Sequence, residues 1–424
     1  MAHSFLYLGV ATALLAWLTP ARAAECDVVS RTNIVACALS QSLELRAERQ
    51  GLQVVEGRRI SASTVLPSNP SLALSIGQPA GYALAAGNVT WSAALAQEVE
   101  VAGQRGDRLG VVTAQRAAQE RRLVAKAREV SSEALSAYFD ALAAAEEVTV
   151  AKRLETLAEA LTLYARARAE SGLLAPVDAS VAAAEAARLT QIQIGAELRF
   201  NDAQAKLTSL FGRDPLLGVQ VTGELEPLEV IHASREALSR SAVSERADLQ
   251  VARAEGEVEA RRAELLRSLR VPNPTFSVFV RRDWIGERVA GLGLSFPIPF
   301  PSPIGRTNAG EIHEARAAAQ KAGMEVEALR RSVRLEVANA VQRVGARRRQ
   351  RLLFSDESVE QALQSIAAIG EELRARKLPI REALLLEPSL VEFVLQSIEA
   401  RRQLCLASVQ LARAAGLPLE RGVK

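Results

Sequence analysis

LGLSFPIPF, residues 292–300, puts Leu292, Leu294, Phe296, Ile298 and Phe300 at every second position, with Gly293, Ser295, Pro297 and Pro299 small or ring-locked between them. An apolar period of two marks a strand with one face out of water. The rest of the chain has a different character. Its 424 residues are 49% hydrophobic and only 4% aromatic, and Ala, Leu, Glu, Arg and Gln, all good helix formers, dominate. The expectation is a mainly helical protein with a few strands set into it.

Three further runs share the alternation. Leu72, Leu74 and Ile76 alternate with Ser71, Ala73, Ser75 and Gly77, and Val89, Trp91, Ala93, Leu95, Val99 and Val101 alternate with polar or small residues. Phe276, Val278 and Val280 form the partner of the 292–300 run. Strands of about ten residues, apolar on one face and small or polar on the other, fit a transmembrane β-barrel with lipid outside and water inside. An ordinary half-buried hairpin fits them too. Trp91 and Trp284 tilt the balance, because the only Trp beyond residue 24 fall in or beside these strands, where an aromatic membrane belt would sit.

The helical segments are long. Val111 to Ser171 contains neither Gly nor Pro, and Leu154, Leu157, Leu161 and Tyr164 follow the 3,4,3 spacing of a coiled-coil seam. At 1.5 Å per residue that stretch would run roughly 90 Å. A second such helix is expected between Pro303 and Pro379, with Val333, Val337, Val341 and Val344 on one face. Each ends at a short turn, SGLLAP (171–176) or RKLP (376–379), from which another helix returns.

The plan is written twice. NPSLAL at 69–74 matches NPTFSV at 273–278, and KLTSLFG at 206–212 matches QLARAAG at 410–416, both at an offset of 204. This is the signature of a tandem duplication of strand, strand, long helix, turn and helix.

At the N-terminus, FLYLGVATALLAWL (5–18) precedes ARAA (21–24). Such a run is too short for a comfortable membrane span and fits an export signal with a small-residue cleavage site, so residues 1–24 are expected to be a signal peptide. Beyond it no apolar run reaches 18 residues. Cys26 and Cys37 could bridge in an oxidising compartment or could be a chance pair, and Cys405 reads as a small buried residue. With a formal net charge of +3, the composition favours no nucleic-acid partner.

Lipid imposes one more constraint. Every backbone donor and acceptor must be satisfied there, so a spanning sheet must close, and closed barrels begin at about eight strands. One chain supplies four. Two copies would give eight strands and three would give twelve, with the helices packed side by side around a tunnel.

These residues reach a known family. The duplicated plan, the export signal, NPSLALS and NPTFSVF, the junctions QEVEVAGQRGDR (97–108) and LSFPIPFPSPIGRTNAGE (294–311), and the turn ESGLLAPVDAS (170–180) resemble the TolC-like outer-membrane efflux proteins. FPIPF followed by Arg306, Asn308 and Gly310 resembles the CzcC-like branch that serves heavy-metal exporters. The likeness runs over residues 40–416 and lies in the order of weak motifs, twice over.

The resemblance implies a homotrimer with a 12-stranded β-barrel in the outer membrane and an α-helical barrel in the periplasm. It also implies a periplasmic adaptor and an inner-membrane pump of the resistance-nodulation-division type as partners, with this chain a passive conduit. The implied layout is an N-terminal segment and helix at 25–68, a first repeat at 69–212, an equatorial connection and helix at 213–272, a second repeat at 273–416 and a tail at 417–424. Conduits for drugs or for type I secreted proteins are the alternatives within the family; a periplasmic coiled-coil adaptor or scaffold is the alternative outside it.

Candidate residues follow from the two turns, which align as Gly172, Leu174, Asp178 and Ala179 against Arg376, Leu378, Glu382 and Ala383. The resemblance implies adaptor contacts at Gly172, Leu173, Leu174 and Leu378, and aperture carboxylates at Asp178 and Glu382. Gly172 as a left-handed helix cap and Asp178 as a helix cap is a structural reading of the same residues. Arg376 and Lys377 stand where a Gly is expected, which puts the geometry of the second turn in question. No catalytic, cofactor or metal site is expected: His232 and His313 lack the close His or Cys neighbours of a zinc site, and no Gly-rich phosphate loop precedes a Lys. The RRRQR run (347–351) reads as a solvated face or a partner for Glu of another protomer.

Overall fold

The computed structural model describes residues 26–78, 89–229, 234–283, 285–300, 303–305 and 307–419. The expected signal peptide, Trp284, Arg306 and His232 lie outside them. In chain order the elements are β1 (Val28–Val29), α1 (Ile34–Gln41), α2 (Leu43–Ala62), β2 (Ser71–Gly77), β3 (Thr90–Glu98), α3 (Gln104–Glu170), α4 (Pro176–Leu210), β4 (Gln220–Val221), α5 (Arg235–Glu245), α6 (Ala247–Ser268), β5 (Thr275–Arg282), β6 (Arg288–Ser295), α7 (Ala309–Arg351), α8 (Asp356–Arg374) and α9 (Ile380–Ala415). They form two compact units that each draw on both sequence repeats.

One unit comprises residues 46–126 and 240–335. Its sheet is antiparallel, in the order β2-β3-β5-β6. The register stacks apolar residues in rows on one face: Leu72, Leu95, Val278 and Leu292 form one row, and Leu74, Ala93, Val280 and Ala290 the next. The opposite face carries Ser71, Ala96, Ser277 and Gly293, then Ala73, Ala94, Phe279 and Gly291. Phe279 packs over Gly291, where a Cβ would stand 2.6 Å from the tip of the ring, so a larger residue there would have to displace the ring. At the strand-to-helix junctions a polar chain crosses between the repeats: the buried Gln104 side chain donates to Asn273 Oδ1 at 2.9 Å, and Asn273 donates to Glu98 Oε1 at 2.7 Å. The helices of this unit are tied by polar contacts, Gln119 Nε2 donating to the Glu48 carboxylate at 2.7 Å and Arg122 pairing with Glu255.

The other unit comprises residues up to 45, 127–239 and from 336 onward. The leucine seam is its core: Leu154, Leu157 and Leu161 of α3 are buried among Leu189 and Leu207 of α4, Ile366 and Leu373 of α8, and Val391, Val394 and Ile398 of α9. Residues near the N-terminus close one side of it. Cys26 and Cys37 form a disulfide with Cα atoms 5.9 Å apart, β1 pairs in parallel with β4, and the buried Tyr138 hydroxyl donates to the Thr222 carbonyl at 2.8 Å. Cys405 is buried in the same core, its thiol pushed up to about 12 by burial.

Two expectations need correction. The second long helix is not continuous to RKLP but breaks between α7 and α8. Ser355 caps α8, its hydroxyl accepting from Ser358 N at 3.1 Å. Asp356 and Glu357 fill the first turn of α8, while Arg348, Arg349 and Arg351 crowd the last turn of α7. Both sets of charges oppose the local end of a helix dipole, which stabilises two helix ends there rather than one through-going helix. Much of the RRRQR run is therefore a helix terminus, with Arg351 bonded to the Phe354 carbonyl and Asp356. Second, β6 ends at Ser295, so Phe296, expected within the strand, lies past it. Pro297 and Pro299 cannot donate to a ladder, and the chain follows residues 296–308 to α7, against only 99–103 at the matching junction.

Candidate functional site

The two helix turns fold alike despite their different residues. Gly172 has φ 69° and Arg376 has φ 58°. At the first turn, Gly172 N donates to Ala169 O at 3.0 Å and Leu173 N to Arg168 O at 2.9 Å; at the second, Arg376 N donates to Leu373 O at 3.0 Å and Lys377 N to Glu372 O at 2.9 Å. Every participant repeats at the offset of 204. Arg376 thus adopts the left-handed conformation that glycine takes without strain, and the turn geometry is retained. Leu174 and Leu378 are half-buried against the core of their own unit, whereas Leu173 is exposed.

Pro176 opens α4 and Pro379 caps α9, so the first turns of both returning helices face each other. Asp178 and Arg381 meet there, Arg381 Nη2 lying 2.9 Å from Asp178 Oδ2 and its Nε 3.1 Å from both carboxylate oxygens. The pairing raises the already high affinity of Arg381 for its proton. Glu382, in contrast, is exposed in the first turn of α9. The two aperture candidates therefore differ: Asp178 is neutralised by a cation, while Glu382 points its charge into solvent.

One turn further into the helices lies a group that the sequence reading missed. Glu387 is 1% exposed and stands against Arg188 of α4, Nη2 to Oε1 at 3.2 Å, while Arg188 Nε also donates to Glu185 at 2.5 Å. Burial, reinforced by the neighbouring Glu185 carboxylate and only partly opposed by Arg188, pushes the Glu387 carboxyl up to about 8. It precedes Pro388, which continues within α9 without a backbone N–H to donate. The spacing Glu185-x-x-Arg188 places both on one helical face, the one signal the sequence offered.

In the unit that holds the sheet, the apolar sheet face is open. Leu74, Ile76 and Leu292 are 72%, 81% and 84% exposed. Trp91, the belt candidate among the described residues, is paired in register with Ile76 and is also exposed. Among the described residues there is no cluster of three metal-binding side chains, His313 lies exposed on α7, and no helix is long and apolar enough to cross a membrane.

No protein-family model matches the chain, and no curated protein matches it in sequence. Solved structures do match in fold. The outer membrane protein VceC of Vibrio cholerae superposes with a TM-score of 0.68 at 18% identity, covering 92% of this chain and 96% of that one. The CmeC outer membrane channel of Campylobacter jejuni gives 0.70 at 15% identity over 91% and 85%, and the open MtrE outer membrane channel of Neisseria gonorrhoeae gives 0.67 at 17% over 93% and 90%. Matching over nine-tenths of its length, through helices and sheet alike, the chain has the fold of the TolC-like outer-membrane channels.

Proposed function

We propose that this chain is the outer-membrane channel component of a tripartite efflux system, a trimeric passive conduit that receives substrate from an inner-membrane pump through a periplasmic adaptor. The observation that carries the reading is the four-stranded sheet with a continuous exposed apolar face and no ladder partner on the outer edges of β2 and β6 among the described residues. Unpaired edges and an apolar face are both satisfied if β6 of one copy pairs with β2 of the next and the ring closes in lipid. Three copies give the twelve strands of a closed barrel. Catalysis has no part in this reading.

Fractionation tests it directly. The protein should be recovered from the outer membrane only with detergent, and negative-stain images of the solubilised particle should show a tapered threefold tube. Recovery in the soluble periplasm would favour a coiled-coil scaffold instead.

In this reading Leu173 is the exposed adaptor contact at the turn, with Gly172 shaping it and Leu174 and Leu378 anchoring it from below. Glu382 supplies the aperture charge, while Arg381 offsets that of Asp178. Carboxylates ringing a pore favour cations, so Glu382→Ala should lower cation preference in planar-bilayer recordings, while Arg381→Ala should raise it. Unchanged selectivity in both would remove the aperture assignment.

The substrate class we infer is heavy-metal cations, from the FPIPF and Arg306, Asn308, Gly310 pattern. Asn308 takes a left-handed conformation, φ 53°, and its carbonyl accepts from Ile312 N at 2.9 Å at the start of α7, which gives that motif a local role in turning the chain into the helix. Deleting the gene and comparing sensitivity to zinc, cobalt, cadmium and copper with sensitivity to lipophilic drugs tests this assignment. Selective metal sensitivity supports it, and selective drug sensitivity replaces it.

A further inference from the structure

The apolar rows of the sheet end at a row of mixed character: Ile76, Trp91, Arg282 and Arg288. Arg282 and Arg288 are direct cross-strand partners on the apolar face, at the hairpin end of β5 and β6 and away from the helix junctions. Like charges directly opposite each other destabilise a strand pair. Among the described residues neither guanidinium has an ion pair or a side-chain hydrogen bond. The carboxylates of the same hairpin are on the other face. Asp283 N donates to Glu287 O at 3.1 Å and extends the ladder, so alternation sets Asp283 and Glu287 on the face of Arg281. Asp283 Oδ1 is also occupied, accepting from Ile285 N at 3.1 Å and Glu287 N at 2.9 Å. Arg282 instead leans along the hairpin, Nη2 3.7 Å from where a Cβ on Gly286 would stand.

We propose that Arg282 and Arg288 form a binding site for the head-group phosphates of anionic lipid on the outer leaflet. The inference rests on the channel reading and adds a specific lipid contact to it. Charge complementarity names the occupant: two arginines in cross-strand register lie immediately beyond a band of Leu, Val and Ala, where an acyl chain on the apolar rows would bring its phosphate level with them. Guanidinium groups bind phosphate in bidentate fashion, and a phosphate between them cancels the like-charge repulsion. Trp91 in the same row has the amphipathic ring that favours the membrane interface.

The test uses the full-length protein in nanodiscs of phosphatidylcholine doped with labelled lipid A, either phosphorylated or dephosphorylated, with retained lipid quantified after purification. Wild type should retain the phosphorylated form preferentially. Arg282→Gln with Arg288→Gln should lower that preference by about fivefold per arginine. The double Lys variant should keep much of it, and Arg281→Gln, on the other face, should keep all of it. Equal retention of the two lipids by wild type, or an undiminished preference in the double Gln variant, overturns the proposal. Competition by millimolar inorganic phosphate would make the site one for free anions and overturn the lipid assignment. A protein that fails to enter nanodiscs at all contradicts the channel reading itself, whereas one that inserts without preference contradicts only this inference.

Discussion

Arg376 occupies a backbone conformation that costs an ordinary L-residue ~1–2 kcal/mol, at a turn where its counterpart is Gly172. Arg376→Gly should therefore be neutral or raise stability by up to ~1 kcal/mol. Gly172→Ala should cost about 1 kcal/mol, because it imports the same strain. Thermal midpoints of the detergent-solubilised protein check both. Glu387 gives a pH dependence of defined sign. The native chain holds its proton to about pH 8, whereas the unfolded chain releases it above its ordinary value of 4.5. Across that window the native state binds the extra proton, so this group's contribution is greatest below 4.5, declines as pH rises, and levels off above 8. The limiting slope is ~1.4 kcal/mol per pH unit. Glu387→Gln, which stays neutral, should flatten the profile between those limits in melting curves recorded across pH. An unchanged slope would show that other groups set it.

Among elements, the break between α7 and α8 is held by Arg351, bonded to the Phe354 carbonyl and Asp356, and by two further contacts. Ser355 supplies the N-cap, and the Phe354 ring packs on Phe393 of α9 at 5.1 Å between centroids. Ser355→Ala should cost about 1 kcal/mol, and amide exchange in the first turn of α8 should quicken more than in α7. Equal protection in both variants would mean that the cap is dispensable. This break also shows where sequence reading reached its limit. The absence of proline between Pro303 and Pro379 suggests one through-going helix, yet Ser355-Asp356-Glu357 after a basic run is itself a start signal behind a stop signal. The strands were legible because period two in Leu, Val and Phe has no helical explanation, and the leucine seam was legible for the complementary reason. Arg381 and Glu387 were not, since each acts through a partner about 200 residues distant, Asp178 and Arg188 respectively. No local pattern encodes such a pairing.

For the whole molecule, the duplication and the compact units cut the chain differently. The repeats are contiguous in sequence, but each unit gathers residues from both, because helices long enough to run from one unit into the other carry every repeat through both. The strand-bearing unit carries the exposed apolar sheet face, and the other unit the large buried core. Cross-linking in native membranes should capture three copies of the chain; a ladder ending at two would require an eight-stranded barrel instead.

The core of the turn-bearing unit has a consequence for how the protein is made. Val391, Val394, Ile398, Cys405 and Val409 of α9 pack with Ile34 and Val35 near the other end of the chain. In the channel reading the polypeptide is exported from its N-terminus, and presents the disulfide-bonded opening segment first and the residues that bury it last. On that reading, until α9 has crossed, the leucines of α3 lack their final cover. A chain ending at residue 379 should be degraded during export rather than accumulate as a shortened channel, and pulse-chase labelling of the periplasmic fraction would show whether it persists.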